Sequence, residues 1–215
     1  MKTKKLNIHI ALLVFYLVGI ILCTSCTDEK TPVPTNPDSI PPKKEMGYQI
    51  SKDPVVGNGE GFAGIFNVPE MLALCVKDSA PEKELALRYA QAFTKLEMEL
   101  LKLEINSKGS PGSIAYNNNP MNFVFECIYL IDSIPKKQPK DCQVVVLEAS
   151  TMYIYNFYGE YKNLYLAYEQ IKDDLKAHHL EQVGPMREFY VTDPVREKDS
   201  TQWLTRILVP IQFKK

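Results

Sequence analysis

One pattern of prolines, tyrosines and apolar runs occurs twice in this chain, and it constrains the fold more than any other feature. The stretch SPGSIAYNNNP is followed by FVFECIYLI, and GPMREFYVTDP is followed by WLTRILVPI. In each, a proline (Pro111, Pro185) precedes a tyrosine (Tyr116, Tyr190) by five residues, and a second proline (Pro120, Pro194) follows four residues later. A repeat of this length predicts a duplicated module. It also places Glu126 and Arg206, the charges interrupting the two apolar runs, in equivalent positions.

The segments around the repeats predict the unit. Residues 65–71 lead into 72–76 as a broken strand, or two short ones, with Pro69 at the break. Asp78, Ser79, Pro81 and Glu82 predict a helix start. Leu85, Tyr89, Phe93, Leu96, Leu100 and Leu103 then fall on one helical face, ending near Ile105. Glu97, Glu99, Lys102 and Glu104 lie off that stripe and are expected to be solvated. Residues 113–116 and 122–131 read as strands.

In the second copy, 144–147 and 152–157 read as a strand pair. Leu164, Tyr168, Ile171 and Leu175 stripe a helix ending near His179, and 187–192 and 203–211 are the last strands. The fold class is therefore α+β. Duplicated strand-helix-strand-strand units, about 61–132 and 142–213, form one pseudo-twofold antiparallel sheet with two main helices.

The N-terminus reads as a targeting segment. Lys2, Lys4 and Lys5 precede an apolar stretch, 10–22, and small residues before Cys26. Residues 1–25 are expected to be a lipoprotein signal peptide, with Cys26 as the lipidated first residue. Cys23 stands where a leucine is usual. Asp28 and Glu29 resemble the acidic surface-export signal of Bacteroides-type lipoproteins. Residues 26–56 form a linker stiffened by Pro32, Pro34, Pro37, Pro41 and Pro42. The remainder, 57–215, suits one domain. The expected location is the cell envelope, lipid-anchored at the outer membrane.

The chain has 25 basic and 26 acidic side chains. Loss of the three signal lysines leaves an acidic protein without the basic stripe a nucleic-acid partner requires. Cys75, Cys127 and Cys142 remain; an odd number cannot all pair, and sequence does not choose a disulfide. His178 and His179 are adjacent at a helix end and do not face each other, so no metal site is read there. No phosphate loop follows a strand, and no serine or cysteine sits in a recognisable nucleophile setting. No catalytic residue, metal or cofactor is assigned.

The order GPMREFYVTDP…WLTRILVPI is similar to the end of the gyrase-inhibitor-like (GyrI-like) effector-binding family. That family carries a Gly-Pro, an Arg-Glu, a Tyr, an Asp-Pro, then Trp-x-Thr-Glu and Pro-Ile. Tyr158-Gly159-Glu160-Tyr161 resembles its Gly-Pro-Tyr turn, with Glu160 in place of proline. The resemblance implies two units around a central groove that binds small amphipathic or aromatic compounds, and a branch that hydrolyses small molecules. It also implies that the acid of Trp-x-Thr-Glu, which engages cations or supports catalysis, is replaced by Arg206.

Alternation along the last strand puts Leu204, Arg206, Leu208 and Pro210 on one face and Trp203, Thr205, Ile207, Val209 and Ile211 on the other. A charge among apolar neighbours is costly unless paired. Glu126 and Arg206 are therefore expected either to face a shared groove or to pair or reach solvent at an edge. Trp203, Tyr190, Tyr116, Phe125, Tyr168 and Tyr89 are the candidate aromatic lining. Three readings stand: a membrane-anchored small-molecule-binding protein, a hydrolase with Glu126 as its acid, or an interaction module with a closed groove.

Overall fold

The computed structural model describes residues 50–51 and 61–214; Cys26, the signal and most of the linker lie outside them. The strands are β1 (Ile50–Ser51), β2 (Gly61–Val68), β3 (Met71–Ala80), β4 (Gly112–Ala115), β5 (Phe123–Leu130), β6 (Gln143–Leu147), β7 (Ser150–Tyr158), β8 (Leu180–Gln182), β9 (Met186–Tyr190) and β10 (Leu204–Phe213). The helices are α1 (Leu85–Leu103) and α2 (Leu164–Ala177). Nine strands run in the order β1-β2-β7-β10-β9-β4-β5-β3-β6, and β8 pairs with the end of β10. Only β1–β2 is parallel among these pairs.

The two halves are related register by register. In the first, Ile114 pairs with Glu126 and Glu126 with Lys77. In the second, Phe189 pairs with Arg206 and Arg206 with Asn156. Glu126 and Arg206 thus occupy equivalent positions. The two proline–tyrosine patterns, however, align one residue out of step. Tyr116 N–H bonds Val124 and Val191 N–H bonds Leu204, so the counterpart of Tyr116 is Val191. Tyr190 corresponds instead to Ala115. Side chains alternate faces along a strand, so this single step puts Tyr116 and Tyr190 on opposite sides of the sheet.

Both helices pack on one face. Phe93, Leu96 and Leu100 of α1 pack with Leu74, Phe125, Cys127 and Tyr129. Leu164, Ala167, Ile171 and Leu175 of α2 pack with Tyr153, Ile207, Val209 and Ile211. Each fully buried large side chain contributes roughly 1.5–3 kcal/mol. The predicted stripes are the buried ones.

The start of α1 differs from expectation. Asp78 and Ser79 lie inside β3, paired with Phe125 and Val124, so the strand ladder has taken their backbone groups. A turn of 3-10 helix, Glu82–Glu84, begins the helical run with no side-chain cap. Glu99 is also not solvated. It is 1% exposed, and its carboxylate accepts from Lys102 Nζ and the Lys140 backbone N–H, pinning the segment between the halves to α1.

The expected pairing of 144–147 with 152–157 does not occur. β6 pairs with β3, while β7 pairs with β2 and β10. Likewise β2 and β3 are separate strands, six places apart in the sheet, yet only Pro69 and Glu70 join them. Six strand spacings in a flat sheet span about 29 Å. Two intervening residues reach only about 10 Å. Glu148 and Ala149 make the same short crossing from β6 to β7. The sheet must therefore curl, bringing its ends together on the side away from the helices. Met71 and Phe189 pack against both apolar clusters of that inner side, one including Ala73, Ile114, Ile128 and Leu147, the other Val68, Met152, Ile154 and Leu208.

The cysteines Cys75, Cys127 and Cys142 are all free. Among the described residues no helix is long and apolar enough to cross a membrane.

Candidate functional site

The helices leave the middle of the sheet between them. α1 lies mainly on β3 and β5, and α2 on β7 and β8. The central strands β4 and β9 meet there, with Ser113 directly opposite Glu188. These two residues occupy equivalent positions in the two halves, on the local twofold axis. Alternation along Met186–Tyr190 sends Glu188 toward the helices and Arg187 to the inner side.

Glu188 is buried, at 7% exposure. Its carboxylate accepts from the Tyr168 hydroxyl, delivered by α2, and from the Tyr190 hydroxyl at 3.1 Å. Tyr190 Oη also lies 2.9 Å from Ser113 Oγ. Tyr89 of α1 occupies the place that Tyr168 has in α2, each being the fifth residue of its helix. Burial, chiefly, and then the nearby Glu188 charge hold the Tyr89 hydroxyl well above its ordinary range. Burial also raises the Glu188 carboxyl, while the hydrogen bonds from Tyr168 and Tyr190 oppose the shift.

Aromatic rings surround this centre. Tyr89 stacks on Phe125 at 4.2 Å between centroids. Phe93 and Tyr161 meet Tyr190 edge-on, at 6.3 and 5.6 Å. Tyr161 also lies 5.7 Å from Trp203, whose indole N–H donates to the Glu197 carbonyl. The hydroxyls of Tyr161 and Thr205 are buried without a hydrogen-bond partner. A carboxylate, several hydroxyls and aromatic faces thus converge between the helices. That combination suits a flat or amphipathic molecule carrying a positive or donor group.

Of the sequence-stated candidates, Tyr89, Phe125, Tyr168, Tyr190 and Trp203 lie on this helix side. Glu126, Arg206 and Tyr116 lie on the inner side. There Lys77 Nζ is 3.5 Å from Glu126 and 4.4 Å from the centre of the Tyr116 ring. Burial first, then the Glu126 charge, pushes the Tyr116 hydroxyl up to about 12. Arg206 Nε donates to Asn156 Oδ1 at 3.0 Å. Glu126 and Arg206 are separated by β4 and β9 and do not pair with each other. Glu188 was not singled out from the sequence, although strand parity marks it: it is the one carboxylate on the apolar, helix-facing side of β9.

No curated protein matches the chain. Its fold is similar to that of the EcmrR C-terminal domain, with a TM-score of 0.59 and 17% identity over 70% of this chain and 96% of that one. EcmrR in its complex with DNA gives a TM-score of 0.61 at 17% identity; 70% of this chain is covered, but only 57% of the EcmrR chain. SAV2435 bound to tetraphenylphosphonium has a TM-score of 0.53 and 13% identity, over 70% of this chain and 93% of that one. Residues 65–212 match the GyrI-like small molecule binding domain, so the chain belongs to that family.

Proposed function

We propose that this protein captures a small amphipathic or aromatic cation between α1 and α2, and does so at the cell envelope, anchored through lipid on Cys26. The observation that carries the reading is Glu188: a buried carboxylate, met by tyrosine hydroxyls from α2 and β9, within a ring of aromatic side chains. A desolvated acid favours an opposite charge far more than an exposed one does, and aromatic faces add to the attraction. The similarity to SAV2435 supports a lipophilic cation as the ligand class. The acid of the Trp-x-Thr-Glu pattern is replaced by Arg206, which faces the inner side, and the negative charge of the proposed site comes from Glu188 on the helix side.

The test is titration of the full chain with tetraphenylphosphonium, followed through the single tryptophan, Trp203. Saturable binding lost in Glu188→Gln supports the reading. Unchanged binding in that variant would falsify it. Glu188-dependent turnover of a small ester would instead mark an enzyme.

A further inference from the structure

Two edges of the sheet are equivalent by the internal duplication, yet they are finished differently. β6 pairs with β3 as β2 pairs with β7. Lys77, beside Glu126, corresponds to Asn156, beside Arg206, so Leu74 corresponds to Tyr153. Leu74 lies beside Val144 and Tyr153 beside Ile65. Val144 and Val145 are therefore the counterparts of Ile65 and Phe66. The outer edge of β2 is covered: β1 lies along it, with Ile50 beside Ile65 and Ser51 beside Phe66. A break in register between Phe62 and Gly64 also interrupts β2. β6 has neither protection. It ends the strand order, and among the described residues no strand pairs with its outer edge.

Nothing in Gln143–Leu147 blunts that edge. Its sequence is QVVVL, with no lysine, no proline and no break in its register with β3. Proteins ordinarily guard an exposed edge with such devices, because its free N–H and C=O groups invite another strand. Val145 packs on the inner side and Val144 on the helix side, and alternation puts Val146 with Val144. Val146 is 56% exposed, and Ile134, 73% exposed, lines the same recess beside it. The edge is thus apolar as well as open. Its flanks carry opposite charges, Lys140 before the strand and Glu148 after it.

We infer that the β6 edge pairs with the β6 edge of a second copy, antiparallel, about a twofold axis at Val145. That register sets Val144 of each copy beside Val146 of the other. The four valines form one block on the helix side, and cross-strand pairs of branched side chains stabilise such a ladder. The same register brings Lys140 of each copy toward Glu148 of the other, whereas parallel pairing sets like charges together. A twofold contact uses one patch on both copies and closes as a dimer. The two sheets become continuous, with both helix layers, and so both Glu188 centres, on one side.

Sedimentation equilibrium and amide hydrogen exchange of the full chain decide it, at concentrations up to about 1 mM, the weak end of specific association. A monomer–dimer equilibrium is expected, with exchange at residues 143–147 slowing as the dimer forms. Val146→Lys removes two valine pairs and sets like charges near each other across the seam, so dimerisation should weaken about tenfold or more. Lys140→Glu should also weaken it, and adding Glu148→Lys should restore it, a rescue that damage to the fold cannot produce. If the reversed pair fails to fold, Val146→Lys, at an exposed position, still decides. A chain that stays monomeric, its edge left for a strand of another protein, overturns the inference. So does a dimer indifferent to Val146→Lys. Protection of 143–147 that does not change with concentration overturns it too, since the chain's own linker would then cover the edge. Tetraphenylphosphonium binding is scored separately, so either reading can fail alone.

Discussion

Tyr89 and Tyr168 hold the same place in two helices related by the internal duplication, yet only Tyr168 donates to Glu188. The duplication supplied two converging hydroxyls, and the sequence difference between Ser113 and Glu188 gave them unequal work. Tyr168→Phe should therefore lower stability by about 1.5–3 kcal/mol, the range for a hydrogen bond to a charged group. Tyr89→Phe should cost less. Urea unfolding of both variants measures the difference, and equal losses would contradict the asymmetry.

Glu188 also gives the site a pH response. Its carboxyl is raised by burial above the ordinary carboxylate range. The folded state therefore holds this proton more tightly than the unfolded chain does, and its contribution to stability declines as pH rises from the unfolded value through the raised one. Glu188→Gln should remove that decline, so the variant gains on the parent across the same window. Tetraphenylphosphonium binding should move the other way, strengthening as the carboxyl ionises. Stability and binding measured from pH 4 upward separate the two trends (about one decade of affinity per 1.4 kcal/mol).

Gly112 lets β4 approach β9 beneath the site. A Cβ there would stand 2.6 Å from the Glu188 carbonyl oxygen and 2.9 Å from the Phe189 ring. Gly112→Ala should cost about 1–3 kcal/mol, as overpacking does, and displace Glu188 enough to weaken cation binding. Thermal unfolding and the Trp203 titration check the two consequences together.

Glu99 ties the inter-half segment to α1. Lys102 first, then the Lys140 N–H, holds its carboxyl below the ordinary range. A depressed acid stabilises above its unfolded pKa and loses that effect as pH falls through the folded one. Limited proteolysis of Glu99→Ala should open new cleavage between Ile134 and Asp141 at neutral pH, and the parent should become similarly sensitive only in acid.

The proposed lipid anchor at Cys26 has its own test. Cys26→Ser should abolish metabolic labelling by a fatty-acid analogue and move the protein from the membrane to the soluble fraction. Labelling that persists in the variant would exclude Cys26 as the lipid site.

Much of this architecture was legible because it rests on periodicity. The stripes Leu85–Leu103 and Leu164–Leu175, the strand parity of β10 and the duplication all survive in the structure. Strand partnership was not legible, because β6 and β7 look like a hairpin until the short links are set against the sheet order. The proline–tyrosine pattern misled by one residue, and one residue in a strand is a change of face; Tyr116 went to the inner side for that reason. Glu188 was not legible because its burial and its Tyr168 partner come from α2 packing over β9, which no local pattern shows. Glu99 looked solvated because a helical wheel does not show the incoming Lys140 backbone.

The crossings at Pro69–Glu70 and Glu148–Ala149 carry a last consequence. Each half lends its leading strand to the far edge of the other: β2 lies against β7, and β6 against β3. Neither half closes its own sheet. Such reciprocal lending is the geometry of a domain-swapped pair, here written into one polypeptide. Separated halves should thus be unable to fold singly but able to reassemble when mixed, with the Ser113–Glu188 pairing existing only at the seam that both create.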